Sequence, residues 1–270
     1  MTNHGYDIME NMNWMKKQRW LIKAITIVLF LAVWEGVVKV GIVKSVLLPA
    51  PTAVFSALME TLRTGVLVSD SLASLRRVLV GFLFGSTLGI VTGGLYLNSK
   101  IRLILSGPLE LIRPIPPLAW VPLSLLWFGF GDPPAYFLVA LGAFFPALSA
   151  THLGFSRAET SYNRAGRMLG LKPRQIFTVV IVPQALPSIL SGLHVGLGVA
   201  WMIVVTAELV GAQSGLGYLI QISRAQLQTE LVVGGMVVIG LIGMVLNGIM
   251  ILIERALLPW RYRGREIGTA

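Results

Sequence analysis

The chain has 270 residues, 55% hydrophobic and 13% charged, with mean hydropathy +0.76 and a formal net charge of +10. Soluble domains carry about 25% charged residues, so this composition excludes an ordinary soluble domain. The basic balance does not mark a nucleic-acid binder, because Lys and Arg stand at the ends of apolar runs rather than on one polar face. The absence of cysteine excludes disulfides and thiolate metal sites.

In chain order, the first apolar run is Ala24–Val38, preceded by Lys16, Lys17, Arg19 and Lys23. No A-x-A site follows it, so it reads as an uncleaved first span and not a signal peptide. Hydropathy predicts six spans, at about 20–43, 73–97, 101–128, 134–154, 185–210 and 230–256. Between the first two, PAPTAVFSALMETLRTG carries Pro51 at a helix start and Val54, Leu58 and Leu62 four apart. That pattern predicts a short amphipathic helix on the membrane surface. The resulting division is an N-terminal segment with the first span (1–43), an external loop (44–72), a core of spans (73–256) holding a polar loop at 155–183, and a basic tail (257–270).

Six spans place both termini on one side. Fifteen of the 22 Lys and Arg fall on that side: in the N-terminal segment, the 98–102 turn, the 155–183 loop and the tail. The positive-inside bias makes that face cytoplasmic. The opposite face carries Lys39, Lys44, Arg63, Arg76, Arg77 and Arg224.

In the second span Gly81, Gly85, Gly89 and Gly93 recur every four residues, and Gly192, Gly196 and Ala200 repeat the spacing in the fifth. Apolar burial drives little association between helices in lipid, whereas glycine permits close backbone approach. These stripes are expected to pack helices together; the functional alternative is that the helices slide during gating. The third span crowds Pro114, Pro116, Pro117 and Pro122. Each removes an amide donor, and unpaired carbonyls at membrane depth need protein or a cavity to cover them. This helix is expected to be broken and buried, with Pro116 and Pro117 as pathway candidates.

Glu35, Glu110, Arg113 and Glu208 lie within predicted spans. Each costs about 2.5–3.5 kcal/mol on insertion scales, so each needs a partner or a role. Glu35 with Lys39, and Glu110 with Arg113, have helical spacing for local pairs. Glu208 has no cation within a helical turn and reads either as a hydrogen-bonding structural acid or as a gate residue. Arg113 is the candidate cation for an anion path. His194 reads as packing or a helix–helix hydrogen bond, since a lone His is a poor metal site.

The stretch 157–183, RAETSYNRAGRMLGLKPRQIFTVVIVP, is a basic island between apolar runs. Its spacing resembles the cytoplasmic EAA loop of ABC-importer membrane subunits. Arg164, Ala165 and Gly166 stand in the E-A-A position, Gly170 and Pro183 fall on the family's Gly and Pro, and Val180 and Val182 replace Ile and Leu. RPIPPLAWVPL at 113–123, LLWFGFGD at 125–132, the block 192–220 and LIERALLPWRYR at 252–263 are similar to the nitrate/sulfonate/taurine group of these subunits. The loop departs from the family at Arg164 and Gly166.

The resemblance implies an all-α polytopic membrane protein with the type I importer permease fold, in a bacterial inner membrane. It implies a loop helix docking into separate ABC ATPase subunits that hold ATP and Mg, a second permease copy, and an external substrate-binding protein. The implied cargo is a small anion, first an alkanesulfonate such as taurine, with a nitrate or bicarbonate-type oxyanion as the alternative. No G-x-x-x-x-G-K-[ST] is present, so the chain is expected to bind no nucleotide or other cofactor itself. The motifs H-E-x-x-H, C-x-x-C and G-x-S-x-G are also missing, which argues against a membrane protease or redox enzyme. A self-contained secondary transporter is disfavoured by few spans and no visible inverted repeat.

Overall fold

Among the described residues of the computed structural model, five helices are long and apolar enough to cross a bilayer, at 21–39, 66–95, 132–158, 173–211 and 229–257. A sixth passes only as a pair, 99–112 with 117–128, bent by 82°. The structure describes the backbone of residues 4–260; the side chains of 4–20, 159–165 and 167 lie outside the description. The basic tail with Arg261, Arg263 and Arg265 also lies outside it.

The helices are α1 (His4–Lys39), α2 (Pro51–Arg63), α3 (Val66–Leu95), α4 (Ser99–Ile112), α5 (Val121–Phe128), α6 (Asp132–Met168), α7 (Pro173–Gln175), α8 (Val182–Gly211), α9 (Leu216–Ala225) and α10 (Thr229–Leu257). A 3-10 turn at Pro117–Trp120 precedes α5, and a π-helical segment at Ile176–Ile181 joins α7 to α8. No strand occurs among the described residues.

α6 lies between α3 and α8, and these three helices form the core. The glycine stripe explains how α3 approaches so closely. A Cβ at Gly81 would stand 2.7 Å from Val139 Cβ, and one at Gly85 would overlap the Ala140 backbone. Gly89 meets Phe144 and Ala147 in the same way, and Gly93 meets Leu148 and Thr151. Gly192 of α8 backs onto Ala150 and Pro146 on the other face of α6. Close backbone contact of this kind replaces the solvent-driven burial that lipid does not supply. Leu138, Val139, Ala143, Ala200 and Val204 are fully buried between these helices.

α2 begins at Pro51, which spares an amide the helix could not pair. It does not rest on a surface alone: Leu58 packs against Gly234 of α10. Glu35 closes the junction below it. Its carboxylate accepts from the Thr52 amide (3.2 Å) and hydroxyl (2.9 Å), and takes the Lys39 ammonium at 3.0 Å. The membrane window of α1 is otherwise uncovered by the chain.

Three predicted boundaries need correction. α3 starts at Val66, not 73; Arg76 and Arg77 lie within it, as the predicted span had them. α6 runs on to Met168 and α8 is entered from Pro173, so most of the 155–183 island is helix, continuous with the spans on either side. Hydropathy stops where side chains turn polar, but helical hydrogen bonding does not.

Candidate functional site

The island forms a corner at the end of α6 and the start of α8. Gly170 turns the chain with φ +74°, a left-handed conformation that suits a helix C-cap. Gly166 is buried, and a Cβ there would stand 3.0 Å from Ile176, so this glycine lets the two arms of the corner meet. The Leu171 amide donates to the Gly166 carbonyl at 3.1 Å and fastens the turn. Ile176, Ile181, Phe155 and Ala158 bury a small apolar cluster inside the corner. Pro183, lacking an amide, sits at the junction of the π segment and α8. At the tip Met168 and Leu169 are 87% and 79% exposed, an apolar surface beyond the described spans. The side chains of Arg164 and Ala165 lie outside the described residues. The last turns of α6 carry the island to Met168, and the three-residue α7 follows the Gly170 turn.

The proline-rich segment breaks as expected, at Arg113–Pro116 between α4 and the 3-10 turn. It is not buried. Pro114 and Pro116 are exposed and Pro117 is half-buried. Leu103, Leu111 and Leu126 are likewise largely uncovered, because no other part of this chain packs over that face. Arg113 and Glu110 do not form the expected ion pair among the described residues. Both are exposed and line a cavity of about 370 Å³ between α4 and α6. A solvent-exposed pair gains too little, about 0–1 kcal/mol, to fix two mobile side chains.

Glu208 is 1% exposed. Its partner comes from α3: Arg77 Nη1 donates to Glu208 Oε1 at 2.7 Å. Glu208 Oε2 also accepts from Ser74 Oγ (2.9 Å) and from the Gly217 amide (2.9 Å). Arg77 further donates to the Ser214 carbonyl (2.7 Å) and Oγ (2.7 Å), and through Nε to Asp132 Oδ1 (2.8 Å). Arg76 closes the outer side by pairing with Asp132.

This cluster also caps α9. The amides of Gly215, Leu216 and Gly217 have no partner inside the helix. They donate to Asp70 Oδ1 (2.8 Å), Ser74 Oγ (2.9 Å) and Glu208 Oε2 (2.9 Å). Acidic acceptors there also meet the positive end of the helix dipole. Gly215 has φ +106°, and a Cβ would strike the Glu208 carboxylate and stand 2.6 Å from Arg77 Nη1. The local sequence gave no sign of this network, because its members sit in four helices and a loop.

His194 Nε2 lies 2.6 Å from Asn247 Oδ1, a hydrogen bond joining α8 to α10. Among the described residues no group of three or more His, Asp or Glu is placed to hold a metal ion.

Comparison with known proteins places these features. The family model described as "binding-protein-dependent transport system inner membrane component" matches residues 85–261. A Bacillus subtilis protein provisionally named an aliphatic sulfonates transport permease is 35% identical over 91% of this chain and 90% of its own. The taurine transport system permease protein of Escherichia coli is 35% identical over 87% of this chain and 88% of its own. The structure of an amino acid ABC transporter with histidines superposes with TM-score 0.61 at 20% identity, covering 74% of this chain and 97% of that one, a likeness of fold.

Proposed function

Because the chain belongs to the family of binding-protein-dependent transport system inner membrane components, we propose that it is the permease subunit of an importer for a small organosulfonate such as taurine. It is a transport component and not an enzyme. The observation that carries the reading is the family match over 85–261, which embraces both the broken helix and the 157–183 corner. The sulfonate assignment rests on the two permeases named above.

In this reading the corner is the docking element for an ATPase subunit, which binds ATP and Mg. Met168 and Leu169 enter the partner, and Gly166 and Gly170 hold the corner's shape. A push on the tip travels along continuous helix into α6 and α8, the centre of the core. A second copy covers the exposed face of α4 and α5, and the pathway runs between the copies past the Pro116–Pro117 bend and Arg113. A guanidinium offers planar donors suited to sulfonate oxygens. A binding protein delivers cargo at the opposite face. The termini are cytoplasmic by the basic asymmetry.

The test is affinity purification of the tagged chain from its native membrane. The reading expects an ATPase bearing G-x-x-x-x-G-K-[ST] to copurify and to be released by deleting the tip, residues 167–170. A tagged chain that transports with no ATPase attached would overturn it.

A further inference from the structure

α4 carries its polar residues on one stripe. Arg102, Ser106, Glu110 and Arg113 are spaced four, four and three apart, which is one helix face. That stripe faces Ser149 and His152 of α6 across the 370 Å³ cavity, while Leu103, Ile104 and Leu111 point away, 80%, 71% and 77% exposed. The cavity falls within the usual range for small-ligand sites, about 300–1,000 Å³. Among the described residues the side chains of Arg102, Glu110 and Arg113 make no hydrogen bond or ion pair.

The charges in the gap do not balance. Two guanidiniums face one carboxylate, which leaves one positive charge uncompensated. Along α4, Glu110 is one turn from Arg113 and eight residues, about 12 Å along the axis, from Arg102. Its carboxylate also acts electrostatically on Tyr96, as Arg102 does, so one acid is shared by two guanidiniums and the gap keeps a net positive charge. Around Arg102 the gap offers several donors. Tyr96 and His152 stack edge to face with ring centroids 5.4 Å apart, and Arg102 is within electrostatic reach of both. Burial pushes the Tyr96 phenol up, so it stays a neutral donor. Ser106 adds a hydroxyl one turn along α4.

We propose that Arg102, with the Tyr96 and Ser106 hydroxyls and the His152 imidazole, forms an oxyanion site in the α4–α6 gap. Its ligand is a singly charged oxyanion head: the sulfonate group of the transported molecule, or the phosphate of an anionic phospholipid. The first source rests on the importer reading and the second does not. A bound monoanion restores neutrality and gives Arg102 paired, charge-assisted contacts. Basic pockets between membrane helices on the cytoplasmic side suit phospholipid heads. The site is distinct from Arg113, which lies about 16 Å further along α4.

The experiment uses the intact complex, purified in detergent with its ATPase, as wild type, Arg102→Gln, Arg102→Lys and Arg63→Gln. One arm measures saturable binding of radiolabelled taurine and its displacement by methanesulfonate. The other measures phosphatidylglycerol retained by the complex in native mass spectrometry. The wild type is expected to hold one of the two. Arg102→Gln should weaken it at least about tenfold, Arg102→Lys less, and Arg63→Gln not at all. Loss of taurine binding identifies the cargo as ligand, and loss of phosphatidylglycerol identifies the lipid. Wild-type retention of both probes by Arg102→Gln, or no binding of either probe by the wild type, overturns the proposal. ATP hydrolysis stimulated by the loaded binding protein is measured on the same samples. Its absence in the wild type counts against the importer reading, while its presence without a site counts against this proposal alone.

Discussion

Arg77 and Glu208, 131 positions apart, meet at 2.7 Å with side chains 2% and 0% exposed. The pair ties α3 to α8 and, through Ser214 and the amides at 215–217, fixes the entry to α9. Removing one member of a buried pair leaves an uncompensated charge, at a cost of about 3–5 kcal/mol, whereas replacing both with apolar residues is often tolerated. Arg77→Met should therefore lower the thermal midpoint of the purified complex more than the double variant Arg77→Met/Glu208→Leu does. Equal or greater loss in the double variant would show that the network acts through its hydrogen bonds to the α9 amides and not through charge pairing.

The α3–α6 contact yields a graded prediction. A Cβ at Gly85 collides with the Ala140 backbone, which cannot move aside as a side-chain tip can. Gly85→Ala should reduce the yield of folded complex, and Gly85→Leu should abolish it. Gly240→Ala on α10 meets nothing within 4 Å and should be neutral or slightly stabilising. Fluorescence-detected size exclusion of the three variants reads the order directly. Normal folding of Gly85→Leu would contradict the packing described.

Gly170 makes a prediction about coupling and not folding. Its φ of +74° is costly for any side chain, and a branched one most of all. Nothing crowds the position, so the strain should stay local. Gly170→Val is expected to insert and assemble normally while ATP hydrolysis stimulated by the binding protein falls severalfold. Full stimulation in this variant would make the turn a passive linker.

The native chain has no cysteine, so single replacements report topology cleanly. Leu169, 79% exposed at the tip, is the position to use. Leu169→Cys should resist an impermeant thiol reagent outside intact cells and react after permeabilisation. Labelling from outside would invert the proposed orientation.

Periodicity carried much of this architecture. The spans and the glycine spacing show in the sequence because each is a local pattern repeating at the helical period. The break in the third span was legible from four prolines, but its exposure was not, since exposure depends on what other elements cover. Glu208 looked unpartnered because its cation arrives from another helix, and local spacing cannot see that. The start of α3 was set at 73 rather than Val66 because Ser69, Asp70 and Ser71 lower the local hydropathy. Glu110 and Arg113 erred the other way: helical spacing permits a pair, but both side chains remain exposed. The ends of α6 and the beginning of α8 were missed because a polar helix outside the membrane has no hydropathy signal.

The central claim is that this chain moves a small organosulfonate across a membrane by energy supplied from an attached ATPase. The most direct measurement is uptake into proteoliposomes holding the purified complex, with its loaded binding protein outside and ATP with Mg enclosed in the lumen. The account predicts accumulation of radiolabelled taurine in the lumen against its gradient, and none when the binding protein and ATP are exchanged across the membrane. Accumulation driven by an ion gradient without ATP, or none with both partners correctly placed while a neutral or cationic solute is carried, would contradict it.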